Sequence, residues 1–242
     1  MSEAFRWWLV VFVMGLVTLP LCLGALARLP DRGYALCKPF ALLLTGYTFW
    51  LLNSIGVLPN ARGGIIAALL LLGAISAAFA VSRRGEMEAW LREHRQYILT
   101  VELGFLCVFM VGAWLRSFVG TIEFTEQPMD LMFVNAAAQA DRFPPQDPWL
   151  SGHTVAYYYF GYLIVAMTGK LAGVPTEIGY NLGFAMVAAL ALVAAFGIVY
   201  NLIRMHESEC EPAPEPASDP ASFDWKPYAF ALGGALMLVF MG

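Results

Sequence analysis

Long apolar runs separated by short polar segments follow one another along the whole chain. A helix needs about 20 mostly apolar residues to cross a membrane, because nothing in the hydrocarbon satisfies exposed backbone groups. This criterion predicts six full spans and a shorter seventh run, at approximately 7–27, 39–58, 64–81, 98–118, 154–172, 178–203 and 228–242. The seventh run would form roughly 22 Å of helix, less than a hydrocarbon core of about 30 Å. We therefore predict an all-α fold, a polytopic transmembrane helix bundle of six full spans and a truncated seventh in a single membrane domain.

Two polar segments between these runs have distinct patterns. In residues 82–97, mixed charges surround three apolar side chains, which favours a short helix lying on the membrane surface. Residues 206–226 are rich in proline and acidic residues and carry few apolar side chains, so we predict a disordered acidic linker. Inside the runs, Glu102 is interpreted as a carboxylate that reaches the membrane surface, and Asn53 as a residue that hydrogen-bonds between helices.

Basic residues decide the predicted orientation, because cytoplasmic loops carry an excess of lysine and arginine. The four arginines of residues 82–97 favour the cytoplasmic side for that segment. Strict alternation of six spans then places eight basic residues inside, Lys170 among them, and six outside, Arg204 among them. The same alternation places the 119–153 loop on the outer face of a plasma membrane.

Composition narrows the classes of function. Hydrophobic residues make up 60% of the 242 residues and charged residues 13%, whereas a soluble domain carries about 25% charged residues. The formal net charge is −4 and the basic residues are scattered, so we predict no nucleic-acid partner. The four cysteines form no CxxC pair and the three histidines form no HxxxH pair, so the sequence predicts no preformed metal site.

The 119–153 loop differs from the rest of the chain in its density of acidic side chains. Its carboxylates are Glu123, Glu126, Asp130, Asp141 and Asp147. Pro128 suits the first turn of a helix, which we expect to run to about Arg142 and to end before Pro144. The order Asp147-Pro148-Trp149 predicts a turn in which the carboxylate accepts hydrogen bonds from nearby backbone N–H groups.

The important side chains of this region each have a structural and a functional interpretation. Asp130 is either a solvated carboxylate near the start of a helix or a general base. Tyr157, Tyr158 and Tyr159, together with Trp149, form either an aromatic belt at the level of the lipid headgroups or a wall of a binding site. The pattern alone leaves both interpretations open.

The same stretch resembles a known family. The residues that carry the resemblance are Pro128-Met129-Asp130, Asn135, Phe143-Pro144-Pro145, Asp147-Pro148-Trp149, Gly152 and Tyr157-Tyr158-Tyr159-Phe160-Gly161. They look like the signature of the Chlor_Arch_YYY family of large multi-pass membrane proteins, over about residues 120–205. That family is in turn similar to the GT-C superfamily of membrane glycosyltransferases, whose donors are polyprenyl-phosphate sugars.

The resemblance implies a GT-C-like outer loop with a juxtamembrane helix and an acidic residue that acts as a base or metal ligand. Asp130 matches that acidic position, and Glu126 and Asp147 are secondary candidates. The resemblance also implies that the donor contacts cations and aromatic rings, here Arg142, His153, Trp149, Tyr157, Tyr158 and Tyr159. The implied partners are membrane lipid and a polyprenyl-phosphate sugar, and a divalent metal is the one cofactor left open.

The predicted function is transfer of a sugar from polyprenyl phosphate at the outer membrane face. Members of the resembled family are longer, so a C-terminal portion or a partner subunit is expected to complete the donor site. The alternatives are a transporter and a non-catalytic membrane assembly subunit. The predicted spans carry almost no ionisable residues near mid-bilayer, which counts against proton-coupled transport, and an assembly subunit would have no cavity at the loop.

Overall fold

The computed structural model describes residues 1–210 and 225–241, and these residues form α-helices and connecting loops. Helix makes up 78% of the described residues, and they contain no strand. The helices in chain order are α1 (Ser2–Ala25), α2 (Cys37–Ser54), α3 (Arg62–Ser82), α4 (Arg84–Glu93), α5 (Arg95–Phe118), α6 (Gln127–Gln139), α7 (Phe160–Ala172), α8 (Thr176–Cys210) and α9 (Lys226–Met241). A short 3-10 turn, Tyr34–Leu36, leads into α2.

Within the described ranges, five helices are long and apolar enough to cross a membrane. They are α1, α2 with the turn before it, α3, α5, and α8 as far as Ser208. The prediction of an all-α multi-pass bundle is confirmed, whereas the count of six full spans and a truncated seventh is not. The helices α7 and α9 have 13 and 16 residues. They are roughly 20 and 24 Å long, less than a hydrocarbon core of about 30 Å.

The fifth predicted span, 154–172, differs most from its prediction, because its first six residues are not helical. They belong to a loop that is attached to α2 at both of its ends. The ring of Phe143 packs edge-on against Phe49, with centroids 5.8 Å apart. The indole N–H of Trp50 donates a hydrogen bond to the hydroxyl of Tyr159 at 2.7 Å. The contacts hold this loop against the bundle and delay the start of α7.

The helix α7 begins inside the bundle and ends at one end of it. Gly46, near the middle of α2, is covered by the side chain of Phe160 at the start of α7. Near the other end of α7, the ammonium of Lys170 donates to the backbone and side-chain oxygens of Asn60, both at 2.7 Å. Asn60 in turn binds the end of α6, so it lies at the same end of the bundle as residues 119–159. We call this end the loop end; α7 runs towards it and does not cross the bundle.

The helix α8 starts at the loop end and crosses to the opposite end. Near its start, the hydroxyl of Thr176 donates to the side chain of Asn135 in α6 at 2.5 Å. Near its far end, the amide of Asn201 donates to the carboxylate of Asp31, between α1 and α2, at 2.8 Å. The chain therefore reaches α8 after a turn at the loop end rather than after a crossing.

This path changes the distribution of basic residues between the two ends. It brings Lys170 to the loop end and Arg204 and Lys226 to the opposite end, and all three placements reverse those predicted by strict alternation. The basic residues of the loop end are Arg6, Arg62, Arg116, Arg142 and Lys170. Those of the opposite end are Arg28, Arg32, Lys38, Arg83, Arg84, Arg92, Arg95, Arg204 and Lys226.

A fully buried carboxylate joins three parts of the chain at the opposite end. Asp31 accepts hydrogen bonds from the hydroxyl of Tyr97 at 2.7 Å and from the amide of Asn201 at 2.8 Å. It also accepts from the backbone N–H groups of Gly33 and Ala35. The connection between α1 and α2 is thereby fixed to α5 and α8.

Lys38 and Glu102 form an ion pair inside the bundle, between α2 and α5. Lys38 Nζ lies 2.5 Å from Glu102 Oε1, and the lysine side chain is only 4% exposed. The hydroxyl of Tyr34 donates to the same oxygen at 3.1 Å. The interpretation of Glu102 as a carboxylate that reaches the membrane surface is therefore wrong, because its charge is compensated inside the protein.

The predictions for the two polar segments, 82–97 and 206–226, have different outcomes. Residues 84–93 form α4, a short mixed-charge helix whose Trp90 is buried, as the pattern in 82–97 indicates. Of the predicted acidic linker 206–226, the first five residues continue α8, and Lys226 begins α9. Most of that linker, residues 211–224, lies outside the described residues.

Candidate functional site

The expected juxtamembrane helix is α6, which begins at Gln127 and ends at Gln139. Pro128 lies in its first turn, where a missing backbone N–H leaves no helical hydrogen bond unmade. The helix ends three residues earlier than predicted, because Ala140 already has an extended conformation. The chain is thus free to turn back towards the bundle before the prolines that follow.

The helix α6 turns Asp130 towards the bundle. Its buried residues are Phe133, Val134 and Ala137. Asp130 precedes the first two by three and four positions, a spacing that places side chains on one face of a helix. Its side chain is accordingly half-buried, unlike Glu126 and the other carboxylates near the start of the loop, which are exposed.

Two tyrosine hydroxyls donate hydrogen bonds to the carboxylate of Asp130. The hydroxyl of Tyr162, in the first turn of α7, lies 2.5 Å from Oδ1. The hydroxyl of Tyr180, one turn into α8, lies 3.3 Å from Oδ2. The helices α6, α7 and α8 therefore meet at this carboxylate, which is held in a fixed orientation.

Two asparagines fasten the end of α6 and the loop after it to the bundle. The side chain of Asn53 donates to the carbonyl of Asp141 at 3.1 Å and accepts from the N–H of Phe143 at 2.9 Å. Asn60 donates to two carbonyls at the end of α6, at 2.9 and 2.6 Å. Asn53 therefore fixes the loop that carries the site, rather than joining two helices as the sequence suggested.

An aromatic cluster lies next to Asp130 on the buried face of α6. Phe133 stacks on Tyr157 with centroids 5.3 Å apart and on Tyr162 at 5.4 Å. Trp149 meets the same ring at a steep angle, at 6.1 Å. Three of the predicted residues, Asp130, Trp149 and Tyr157, are thus brought to one region by contacts with Phe133 and Tyr162, which the sequence did not single out.

Tyr157 and Tyr158 form a stacked pair beside the carboxylates. Their ring centroids are 3.8 Å apart, and the hydroxyl of Tyr157 donates to that of Tyr158. This hydrogen bond, together with the negative charges of Glu126 and Asp130, raises the pKa of Tyr157 to about 12. Its hydroxyl stays protonated at neutral pH, and its one proton is donated to Tyr158.

The tyrosine triplet also lines an apolar groove on the flank of the bundle. The groove has a volume of about 520 Å³. Its lining residues are Leu43, Leu44, Tyr47 and Trp50 of α2, and Tyr157, Tyr158, Tyr159 and Phe160. Leu43 and Tyr47 are about half exposed, at 53% and 51%, so the groove opens sideways, towards lipid in a membrane. We call it the tyrosine groove.

Asp147 has the local role that its sequence predicts. Its Oδ1 accepts hydrogen bonds from the N–H groups of Trp149 at 2.8 Å and Leu150 at 3.1 Å, so the predicted turn is confirmed. Asp147 lines a polar cavity of about 700 Å³ together with Asp141 and Arg142. Neither Asp130 nor the tyrosine triplet lines that cavity. The structure thus separates Asp147 from the surface that Asp130 and the tyrosines share.

The two predicted cations lie in exposed positions of the loop. The guanidinium of Arg142 lies over Gly56, just after α2, and a Cβ on that glycine would be 3.0 Å from it. Within residues 1–210 and 225–241, Arg142 makes no ion pair with a carboxylate. The imidazole of His153 is exposed, while its backbone carbonyl accepts a hydrogen bond from Asp147.

The resemblance leaves a divalent metal open, and Mg²⁺ is commonly held by one or two carboxylates together with substrate phosphate. No group of three or more His, Cys, Asp or Glu side chains in the described part of the chain is arranged to hold one. Asp130 is instead satisfied by two hydroxyl donors.

Comparison with known proteins places the chain among membrane proteins. The model of a family described as uncharacterized membrane protein, DUF2298, matches residues 44–242, which include the greater part of α2, all of α3 to α9 and the predicted site residues. No curated protein and no solved structure matches the chain. The finer resemblance to the Chlor_Arch_YYY family and the GT-C superfamily stays a prediction. The match covers most of the sequence, and the chain therefore belongs to the DUF2298 family of uncharacterized membrane proteins.

Proposed function

We propose that this membrane protein is a GT-C-like glycosyltransferase, or a portion of one, that transfers a sugar from a polyprenyl-phosphate donor at the outer membrane face. The observation that supports this function best is the position of the tyrosine triplet. Tyr157 and Tyr158 line the apolar tyrosine groove. Tyr157 also stacks on Phe133, which packs against Tyr162, the hydroxyl donor to Asp130. A site with an apolar channel on one side and an oriented carboxylate on the other suits an amphipathic donor.

In this proposal the lipid and the head of the donor bind to different parts of the site. The prenyl chain lies in the tyrosine groove, against Leu43 and Tyr47, where aliphatic and aromatic surfaces replace lipid contacts. The sugar stacks on Tyr157 or Trp149, whose rings are exposed. The phosphate reaches from this surface into the neighbouring cavity that Arg142 lines, where the guanidinium can form a charge-assisted pair. His153 provides a second cation on the same loop.

Asp130 acts in the proposal as the general base. The acceptor hydroxyl gives its proton to the carboxylate as its oxygen forms a bond to the anomeric carbon of the sugar. The bond from that carbon to the phosphate oxygen breaks, and its electron pair leaves with the lipid phosphate. Arg142 stabilises the negative charge that develops there. Tyr162 and Tyr180 hold the carboxylate in place. Asp147 fixes the conformation of the loop, and Glu126 is the second candidate for the general base.

The distribution of basic residues supports an outward-facing loop end. Nine lysine and arginine residues lie at the opposite end and five at the loop end, compared with the eight and six expected from strict alternation. Cytoplasmic surfaces carry the excess of basic residues. We therefore propose that the opposite end is cytoplasmic in a plasma membrane. The remaining contacts to the donor would come from a C-terminal portion or a partner subunit.

The test of this function is Asp130→Asn in the full protein, with transfer of radiolabelled sugar from polyprenyl phosphate as the readout. Loss of a general base is expected to lower the rate by roughly 10²- to 10⁴-fold. The matched control is Asp141→Asn, which removes an exposed carboxylate of the same loop and is expected to leave the rate within about twofold. Full activity of Asp130→Asn would remove this residue from the mechanism.

A non-catalytic membrane assembly subunit is the alternative function. It is favoured by the two tyrosine hydroxyls that already occupy the oxygens of Asp130, since such bonds also serve purely to join helices. It predicts that Asp130→Asn changes the amount of assembled complex and leaves sugar transfer by the complex unchanged. A transporter is less well supported, because the intramembrane charges Lys38 and Glu102 neutralise each other.

A further inference from the structure

Two arginines from different helices converge on the turn between α7 and α8. Arg6 of α1 donates through Nη1 to the carbonyl of Gly173 at 3.2 Å. Arg62, at the start of α3, donates through Nε to the carbonyl of Lys170 at 3.0 Å. A Cβ placed on Gly173 would lie 3.0 Å from Arg62 Nη2 and 3.4 Å from Arg6 Nη1, so the two guanidinium groups are neighbours.

The surroundings leave these guanidinium groups with an excess of positive charge. Glu3 is 3.7 Å from Arg6, and both side chains are partly exposed. Arg62 has no carboxylate partner in residues 1–210 and 225–241. The ammonium of Lys170, held by Asn60, adds a third positive charge to the same turn. Within residues 1–210 and 225–241, Glu3 is the one carboxylate within 4.0 Å of any of these three cations, and an anion between the arginines would relieve their repulsion.

The hydrogen bonds to the end of α7 use only one N–H donor of each arginine. Arginine side chains commonly bond to the last carbonyls of a helix, and here each guanidinium uses a single N–H in this way. Arg62 keeps both of its Nη groups, which present the planar fork that binds phosphate oxygens in pairs. Because the carbonyls already fix the two side chains, little further ordering is needed to bind such a group.

The position of the cluster selects the kind of molecule that carries the phosphate. Arg6 and Arg62 lie in the first turns of α1 and α3, at the level where a membrane-spanning helix meets the headgroups. Below them on the same helices, the apolar side chains of Leu9 and Ile66 are each 42% exposed, as expected of surfaces that face acyl chains. A lipid could place its phosphate between the arginines and its chains along these helices.

We propose that Arg6, Arg62 and Lys170 form a binding site for the phosphate group of a membrane lipid at the loop end. This site is separate from the tyrosine groove, since none of its three residues lines that groove. It joins α1 and α3 to the end of α7 through a shared anion. The proposal holds whether or not the protein transfers sugars, because it rests only on these cations and their positions.

The test is native mass spectrometry of the full chain purified in a non-ionic detergent. The probes are phosphatidylglycerol and a phosphate-free galactolipid with the same acyl chains. The wild-type chain is expected to retain phosphatidylglycerol in preference to the galactolipid. The Arg6→Gln/Arg62→Gln variant is expected to lower the phosphatidylglycerol adduct by roughly tenfold, since two charge-assisted pairs are lost, and to leave the galactolipid adduct unchanged.

The matched control is Arg83→Gln/Arg95→Gln, which removes two exposed arginines from the opposite end. It is expected to retain the phosphatidylglycerol adduct. Equal loss of the adduct in both double variants, or no loss in either, would overturn the proposal. If Arg6→Gln/Arg62→Gln does not fold, Arg6→Lys/Arg62→Lys keeps the charges and removes the planar forks. That variant is expected to lose the adduct several-fold, and an unchanged adduct would count against the site.

Inorganic phosphate separates the two sources of the anion. If it displaces phosphatidylglycerol from the wild-type chain, the site also accepts free phosphate. If the lipid adduct persists at high phosphate, the acyl chains contribute to binding and the ligand is a lipid. Either result supports the site if binding is lost in the Arg6→Gln/Arg62→Gln variant. Binding of both phosphatidylglycerol and phosphate that is unchanged in this variant contradicts the site.

Discussion

Asp130 differs from the other carboxylates of its loop in what it contacts. Asp147 bonds only to the backbone of its own turn, and Glu126 is exposed. Asp130 instead accepts hydrogen bonds from two other helices, through Tyr162 and Tyr180. An oriented carboxylate is what proton abstraction requires, because the rate depends on the geometry of the donor and acceptor atoms.

The hydrogen bond from Tyr162 can be tested separately from the carboxylate itself. Tyr162→Phe removes the shorter of the two hydroxyl contacts and keeps the stack on Phe133. We expect sugar transfer to fall by about tenfold, since a hydrogen bond to a charged group contributes about 1.5 to 3 kcal/mol. The measurement is the kcat and KM of sugar transfer. Tyr34→Phe, which removes a hydroxyl donor to Glu102 at the opposite end and should leave sugar transfer unchanged, is the control.

The ion pair of Lys38 and Glu102 predicts a stability effect at the opposite end. Lys38→Met leaves the carboxylate of Glu102 inside the bundle without its counter-charge, which costs about 3 to 5 kcal/mol. The double variant Lys38→Met/Glu102→Gln removes both charges and is expected to recover most of that loss. The measurement is thermal unfolding of the detergent-purified protein. Equal melting temperatures for the wild type and Lys38→Met would contradict the pairing.

Local interactions were predictable from the sequence, whereas distant partners were not. The turn at Asp147 follows from three consecutive residues, so its hydrogen bonds were predicted correctly. Tyr162 and Tyr180 are 32 and 50 positions from Asp130, and nothing in a single sequence indicates that they meet it. The partner of Glu102 was missed for the same reason, because Lys38 is 64 positions away.

At the level of whole elements, α7 shows the limit of hydropathy. Residues 154–172 are apolar enough to suggest a span. Hydropathy indicates that a segment is surrounded by lipid or apolar side chains, but not whether its helix crosses the membrane. Packing of Phe143 and Tyr159 against α2 starts the helix near mid-bundle, and Gly173, with a φ of +63°, ends it at the loop end. The bounds of α6 were easier to predict, because Pro128 marks its start and Pro144 and Pro145 limit how far it can continue.

The direction of α7 predicts the accessibility of the residue that follows it. In a chain whose four native cysteines are replaced by alanine, Glu177→Cys places a thiol in the first turn of α8. We expect a membrane-impermeant maleimide to label it from the same side as Ser151→Cys in the loop. Strict alternation of six spans predicts the other side.

The control for this labelling is Glu93→Cys, at the end of α4. It should react only from the side opposite to Ser151→Cys. Labelling of Glu177→Cys together with Glu93→Cys would show that α7 crosses the membrane after all. In intact cells, labelling of Ser151→Cys without permeabilisation would also establish that the loop end faces outward, as the distribution of basic residues predicts.

For the molecule as a whole, the bundle brings a polar site and an apolar groove to one end. The helix α2 and the loop that leads into α7 form the tyrosine groove, and α6, α7 and α8 meet at Asp130. Composition predicted a membrane protein and the loop sequence predicted which end would carry the site. The groove itself could not be predicted, because it depends on how Tyr157–Tyr159 pack against α2, a contact between segments more than 100 residues apart.

The central claim is that this groove binds the lipid of a donor next to Asp130, and photocrosslinking tests it most directly. A polyprenyl phosphate with a photoreactive group in its prenyl chain is irradiated with the full protein, and labelled peptides are identified by mass spectrometry. We expect labels in 43–50 and 157–160, and roughly tenfold less labelling in Leu43→Trp, whose side chain fills the groove. Labels spread evenly over the outward face of α3, at Ile66 and Leu70, and unchanged by Leu43→Trp, would contradict the claim.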